Sequence, residues 1–220
     1  IPFFASHIQG TVIRHRTLKT TGIAESFLAD RIGHTDSLFP PHSGVSLAYL
    51  PSPMGVRLRI TVRTTSSDEA TRIIQDVENR IRERVAEFIY GADNEELETI
   101  VGKILKERHQ TVAVAESCTG GLIIHRLTNI SGSSVYFERG YCTYSNESKI
   151  AELGVPSSLI QKFGAVSKEV AEAMAFGART KANSSIGIST TGIAGPTGGT
   201  PEKPVGLVWI GYSDERETRA

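Results

Sequence analysis

Cysteine is nearly absent from this chain: among 220 residues it occurs only at Cys118 and Cys142. Two thiols in separate motif segments do not make a disulfide framework, which fits a reducing, cytoplasmic setting. Net charge is absent altogether, with 24 basic residues against 24 acidic ones. Residues 1–90 hold 11 Lys/Arg and 9 Asp/Glu, and the remainder 13 and 15. Neither half carries the basic excess that a phosphate backbone attracts, which argues against a nucleic-acid partner. No apolar run approaches the roughly 20 residues needed to cross a bilayer, and no signal peptide is visible, which argues against a membrane role. A Walker A loop is missing, because no Gly-Lys-Ser/Thr follows the glycines, and so is the three-glycine dinucleotide fingerprint. Nothing calls for a metal or a cofactor.

What is present is a chain long enough for one large or two modest domains with real cores. Its most informative stretch is Ala115-Glu116-Ser117-Cys118-Thr119-Gly120-Gly121, preceded by Thr111-Val112-Ala113-Val114 and followed by Leu122-Ile123-Ile124. The pattern reads as a strand turning sharply into a helix, with a hydroxyl, a thiol and two glycines at the bend. Glycines let backbone N–H groups approach a ligand, and a helix start aims its positive dipole end at the same place. A serine there serves as a nucleophile, an anion ligand or both; many α/β proteins also carry such residues for turn geometry alone.

Two further clusters repeat the arrangement. Arg139–Lys149 begins as a strand and ends in a helix start, with Tyr144 and Lys149 at the transition. Ser185–Thr191 reads as a strand and Gly192–Thr200 as a glycine-rich loop behind it. Three strand ends that run into hydroxyls and glycines suggest one shared pocket, on the side of an α/β sheet where strands finish.

Together these blocks resemble the C-terminal domain of the CinA family, a domain that also occurs alone as a nicotinamide-nucleotide amidase. The matching segments are AESCTGG (115–121), SGSSVYFERGYCTYSNESK (131–149), GAVS (164–167), TGIAGPTGG (191–199) and EKPVG (202–206). Earlier segments, TGIAESFLADRIG (21–33) and GVSLAYLPSPMGVRLRITVR (44–63), look like the KH-type middle domain of the same family. The resemblance implies a cytoplasmic amidohydrolase that deamidates nicotinamide mononucleotide, with a homodimer as the expected assembly. It further implies that the chain is a fragment. Residues 1–10 would be the tail of a missing N-terminal domain, associated in some members with ADP-ribose pyrophosphatase activity, and the C-terminus would be truncated. The alternative is a non-catalytic regulatory or assembly module of a CinA-type protein.

The expected fold is an α+β first domain over 1–91, in the KH-like order β-α-β-β-α, followed by an α/β domain over 92–220. In the first, strands are expected at 11–19, 45–50 and 56–63, and helices at 24–32 and about 67–88. Val56, Leu58, Ile60 and Val62 alternate with Arg57, Arg59 and Arg63, which gives one buried face. Asp93 with Glu96 reads as a capping box for the next helix. In the second, strands at 111–116, 139–144, 185–191 and 205–213 alternate with helices from about 120, near 146–153 and at 168–182. Ser167 is the N-cap of the last helix. This alternation implies a mixed or parallel sheet covered by helices.

Hydrolysing a carboxamide needs a nucleophile, donors for the oxyanion and a proton for ammonia. Ser117 is the candidate nucleophile and needs a base; no histidine lies in the three clusters, and His125 follows in the helix. Lys149, with Tyr144 relaying or orienting the proton, is the candidate base, provided that burial keeps its amine neutral. The family resemblance points to the same three residues. Cys118 is the rival nucleophile, because a strand-to-helix turn can depress a thiol pKa. Thr119, Gly120 and Gly121 are candidate donors to an oxyanion or a phosphate. Thr191, Gly192, Gly195 and Gly198 form the opposite wall for the nucleotide. The first half has an excess of two positive charges and no Gly-x-x-Gly loop to clamp nucleic acid. Its expected task is to space and assemble catalytic domains through the faces of Val56–Val62 and the 67–88 helix. At physiological salt, titration with single-stranded RNA or DNA is expected to give only non-specific dissociation constants of roughly 10⁻⁴–10⁻⁶ M. Nanomolar, sequence-dependent binding would reverse that expectation.

Overall fold

The computed structural model describes residues 10–52 and 54–220. The expected N-terminal tail (apart from Gly10) and Pro53 of the expected turn lie outside these residues. The chain divides into two compact units, one running to Ile100 and one from Val101.

The first unit is an antiparallel four-stranded sheet, order β2-β3-β1-β4, with two helices packed on it. Its elements are β1 (Val12–Thr20), α1 (Glu25–Ile32), β2 (Val45–Ser52), β3 (Gly55–Thr64), α2 (Ser67–Val85) and β4 (Ile89–Ala92). Alternation in β3 works as its sequence demands: Val56, Leu58, Ile60 and Val62 are buried, and the three arginines between and after them are exposed. Those four residues pack with Leu18, Leu28, Ile32, Val77, Ile81 and Val85 into one core. The faces expected to assemble catalytic domains are therefore already buried against each other.

Two expectations are corrected. The 67–88 helix ends at Val85, residues 86–88 form a short 3-10 turn, and Ile89–Ala92 pairs with β1 as an edge strand. Asp93 and Glu96 do not cap the following helix α3 (Leu97–Glu107). The Asp93 carboxylate accepts from the Thr17 N–H at 2.9 Å and from Arg16 at 2.5 Å, and Glu96 pairs with the buried Lys19 at 2.8 Å. Charges that read locally as a cap are drawn off by basic residues of β1.

In the second unit the sheet order is β6-β5-β7-β8-β9. Strands β5 (Val112–Glu116), β6 (Phe137–Cys142) and β7 (Ile186–Gly192) are parallel, whereas β8 (Val208–Ser213) and β9 (Thr218–Arg219) run antiparallel. The sheet is mixed. Helices α4 (Leu122–Thr128), α5 (Asn146–Leu153), α6 (Ser157–Phe163) and α7 (Lys168–Ala182) cover it; α6 and the short β9 escaped the sequence reading. Every residue of β5 is buried, and its alternate side chains serve opposite faces. Ala113 and Ala115 join the core with Val170, Met174 and Ala178 of α7, while Val112 and Val114 join Leu105 and Leu127. Ser167 caps α7 as expected, accepting from the Val170 N–H at 3.3 Å. No helix among the described residues is long and apolar enough to cross a membrane.

Glu78, on α2, accepts from Arg16 at 2.8 Å and Arg82 at 2.7 Å and is almost wholly buried. Burial pushes its pKa up, but the hydrogen bonds from Arg16 and Arg82 outweigh that and hold it below the usual carboxylate range. A depressed folded-state pKa contributes stability above the ordinary carboxylate range, lost as pH falls below it. Glu78→Gln is therefore expected to destabilise the first unit by about 1–3 kcal/mol at pH 7. It should also flatten the acid limb of its pH–stability curve in denaturant melts. An unchanged acid limb would show that the pair contributes nothing.

Candidate active site

The chain leaves β5 for β6 on one side and later returns to β7 on the other, so the carboxyl end of β5 is a topological switch point. All three parallel strands end there, and each expected cluster follows one of them. Ser117 lies directly after β5, is 8% exposed, and its N–H donates to the Thr190 carbonyl of β7 at 3.0 Å. Tyr144 and Ser145 lie beyond the end of β6, which stops at Cys142, two residues earlier than the strand expected from sequence.

Lys149 sits in the first turns of α5, which Ser145 caps by accepting from the Ser148 N–H at 3.1 Å. Despite its charge type it is only 1% exposed. Its Nζ lies 3.1 Å from Ser117 Oγ and 2.9, 3.1 and 3.4 Å from the carbonyl oxygens of Thr143, Tyr144 and Ser145. Burial lowers its pKa from the ordinary lysine value, opposed more weakly by electrostatic interaction with Cys118 and Glu147. The structure thus brings Ser117 and Lys149 together out of a separation of 32 residues.

Tyr144 is placed differently from the other two. Its carbonyl faces Lys149, but the residue is 75% exposed, and no described residue hydrogen-bonds its hydroxyl. Cys118 is partly buried, and burial raises its thiol pKa, as does the Glu116 charge. The N–H groups of Cys118 and Thr119 pull in the other direction without prevailing. The thiol pKa is raised, contrary to the depressed pKa that the turn suggests. His125 is exposed on α4.

The glycine turn is built for the chain as much as for a ligand. Gly120 and Gly121 take φ of +60° and +99°, a region that side chains disfavour. The Gly120 N–H donates to the Ser117 carbonyl at 3.1 Å and the Gly121 N–H to the Glu116 carboxylate at 3.0 Å. Neither of these N–H groups faces a ligand. The N–H groups of Cys118 and Thr119, by contrast, have no backbone acceptor among the described residues. The Thr119 hydroxyl meets the Thr190 hydroxyl at 2.7 Å.

On the opposite wall, Thr191 is buried and its hydroxyl donates to the Ala165 carbonyl at 2.8 Å. Thr191 therefore anchors the 164–167 connector. Gly192 ends β7, where a side chain would strike Leu207 and Val208. Gly195 and Gly198 have φ of +83° and +90° in a loop closed by Ile193 N–H to the Leu207 carbonyl at 2.9 Å. Lys203 ties this loop to the same connector through the carbonyls of Phe163 and Val166, at 2.6 and 2.7 Å. Sequence reasoning assigned no role to Lys203, Thr190 or Glu116. The one available signal was an acidic residue just ahead of a helix start, where the dipole favours negative charge.

Comparison with known proteins follows the same division. The CinA C-terminal domain model matches residues 94–220, and the damage-inducible protein CinA KH domain model matches residues 15–91. A CinA-like protein of Salinibacter ruber is 48% identical over 208 residues, 94% of this chain and 50% of its own length. One from Gemmatimonas aurantiaca is 48% identical over 211 residues, 96% of this chain and 49% of its own length. The chain thus spans about half the length of the curated relatives it matches. Among solved structures, the competence/damage inducible protein CihA of Agrobacterium tumefaciens matches with 41% identity and a TM-score of 0.54, over 55% of this chain and 74% of that one. A CinA superfamily protein of Escherichia coli matches with 29% identity and a TM-score of 0.53, over 55% and 70%. The KH-domain match, the C-terminal domain match and the relatives agree, and the chain belongs to the CinA family.

Proposed function

We propose that the second unit is an amidohydrolase that converts nicotinamide mononucleotide to nicotinic acid mononucleotide and ammonia, with Ser117 as nucleophile and Lys149 as base. The observation that carries the reading is the 3.1 Å contact between Ser117 Oγ and a lysine that is 1% exposed. A neutral amine has two N–H donors and one lone pair. The carbonyls of Thr143 and Tyr144, at 2.9 and 3.1 Å, take the two donors and leave the lone pair for the serine hydroxyl. Desolvation shifts the amine toward the neutral form that such a base needs.

The reaction then runs in two halves. Ser117 Oγ attacks the carboxamide carbon as its proton passes to Lys149 Nζ. The oxyanion develops beside the N–H groups of Cys118 and Thr119, as donors next to a nucleophile do in acyl transfer. When the intermediate collapses, the C–N bond breaks and Lys149 returns the proton to the departing nitrogen, releasing ammonia. Water attacks the resulting ester, its proton goes to Lys149, and Ser117 is regenerated with the acid product. Tyr144 contributes its carbonyl to holding the amine.

Ser117→Ala is expected to lower kcat/KM for ammonia release about a thousandfold or more with an unchanged circular dichroism spectrum, while Cys118→Ala stays within about tenfold. The opposite ranking would sink the serine mechanism. No ammonia from the folded wild-type protein would favour the regulatory-module alternative.

Because the neutral amine is the base, wild-type kcat should rise as pH climbs through a lysine pKa lowered by burial. Lys149→Met is expected to abolish turnover at every accessible pH while keeping the fold, since methionine fills the same space without a charge to bury. A mutant rate restored by raising the pH would assign the base to solvent.

A further inference from the structure

The mechanism leaves one fully buried carboxylate unused. Glu116 is 0% exposed and forms no ion pair among the described residues. Its two oxygens accept instead from backbone N–H groups of the next helix, Gly121 at 3.0 Å and Ile124 at 2.7 Å. A buried charge is tolerated only where hydrogen bonds replace its water, and helix N-terminal N–H groups do so with the dipole in their favour. We propose that Glu116 is a positioning residue for this reaction. Its carboxylate holds the Ser117–Gly121 turn in the shape that sets Ser117 beside Lys149 and keeps the Cys118 and Thr119 N–H groups clear of backbone acceptors.

The geometry supports this at both ends of the residue. Alternation along β5 sends Val112 and Val114 toward Leu105 and Leu127, and Glu116 follows them to the α4 side. Ser117, one residue on, turns the other way and meets Lys149. The positive φ of Gly120 and Gly121 bends the chain back so that the Gly121 N–H closes over the carboxylate. Inside that loop the Gly120 and Leu122 N–H groups are engaged by the carbonyls of Ser117 and Thr119, both at 3.1 Å. The N–H groups of Cys118 and Thr119 have neither a backbone acceptor nor the Glu116 carboxylate, which takes the Gly121 N–H. The main-chain carbonyl of Glu116, meanwhile, accepts from the Thr143 N–H at 2.9 Å, and the Thr143 carbonyl holds Lys149 Nζ at 2.9 Å. One residue therefore ties the nucleophile's turn to the base's cradle. The Glu116 charge also helps to keep the neighbouring Cys118 a thiol.

The role in catalysis rests on the amidase reading, so the test has one arm that needs turnover and one that does not. Glu116→Gln keeps the shape but sets an amide NH₂ against a backbone N–H. Expected is a kcat for ammonia release about 10- to 100-fold lower, with KM within about threefold, as misplacement of a reacting group produces. In a Cys142→Ser background, iodoacetamide alkylation of Cys118 should have its pH midpoint moved down, an effect that loss of packing alone does not produce. Glu116→Asp keeps the charge but cannot span both N–H groups, so kcat should fall while the alkylation midpoint holds. Wild-type kcat in either variant, or an unmoved Cys118 midpoint in Glu116→Gln, overturns the proposal. If the wild-type protein releases no ammonia, the amidase reading falls and the alkylation arm alone decides the structural claim about Glu116. If Glu116→Gln does not fold, Glu116→Asp decides it, by kcat where turnover exists and by altered Cys118 alkylation rate where it does not.

Discussion

Burial of Lys149 is the constraint around which the second unit is arranged. A lysine ammonium at 1% exposure would face a desolvation penalty of several kcal/mol without compensation. No carboxylate pairs with it among the described residues; three carbonyls and one serine hydroxyl surround it instead. Carbonyl dipoles compensate less than a full opposite charge would, so burial pushes the lysine pKa down from its ordinary value. The same contacts that hold the side chain also aim it. The lysine is placed by the strand ends that create the site.

Those strand ends meet because β5 is buried on both faces and lies between two parallel neighbours. Small and branched residues at 112–115 let helices close over it from either side. Along β5 itself the polar side chains begin only at its carboxyl end. There Glu116 caps a helix, Thr190 meets Thr119, and Thr191 and Lys203 pin the 164–167 connector. Much of what reads as ligand chemistry in the motifs proves to be hydrogen bonding that holds the edge in shape.

The first unit solves a different problem. A single-sided antiparallel sheet with two helices leaves its arginine-rich strands open to water, and its core is closed by the one apolar face of β3. Its buried charges are paired: Glu78 with Arg16 and Arg82, Lys19 with Glu96. The pairs fasten α2 and the segment after β4 onto β1, across 60 or more residues of sequence.

The sequence by itself determined the elements whose signal is local. The period-two pattern of β3, the cap at Ser167, and the apolar run of β5 ending in hydroxyls and glycines are written in neighbouring residues. They sufficed for the two-part architecture and for nominating Ser117 and Lys149. What only tertiary structure decided depends on partners far along the chain. The four residues of β4 become a strand because β1 offers an edge, and Asp93 abandons a helix cap because Arg16 is near. The Gly121 N–H and the Thr191 hydroxyl look free in sequence but are taken by Glu116 and Ala165. Tyr144 lies past the end of β6, where its carbonyl rather than its hydroxyl reaches the lysine. Local pattern reports backbone preference and burial; which polar group meets which is fixed only when strands distant in sequence end side by side.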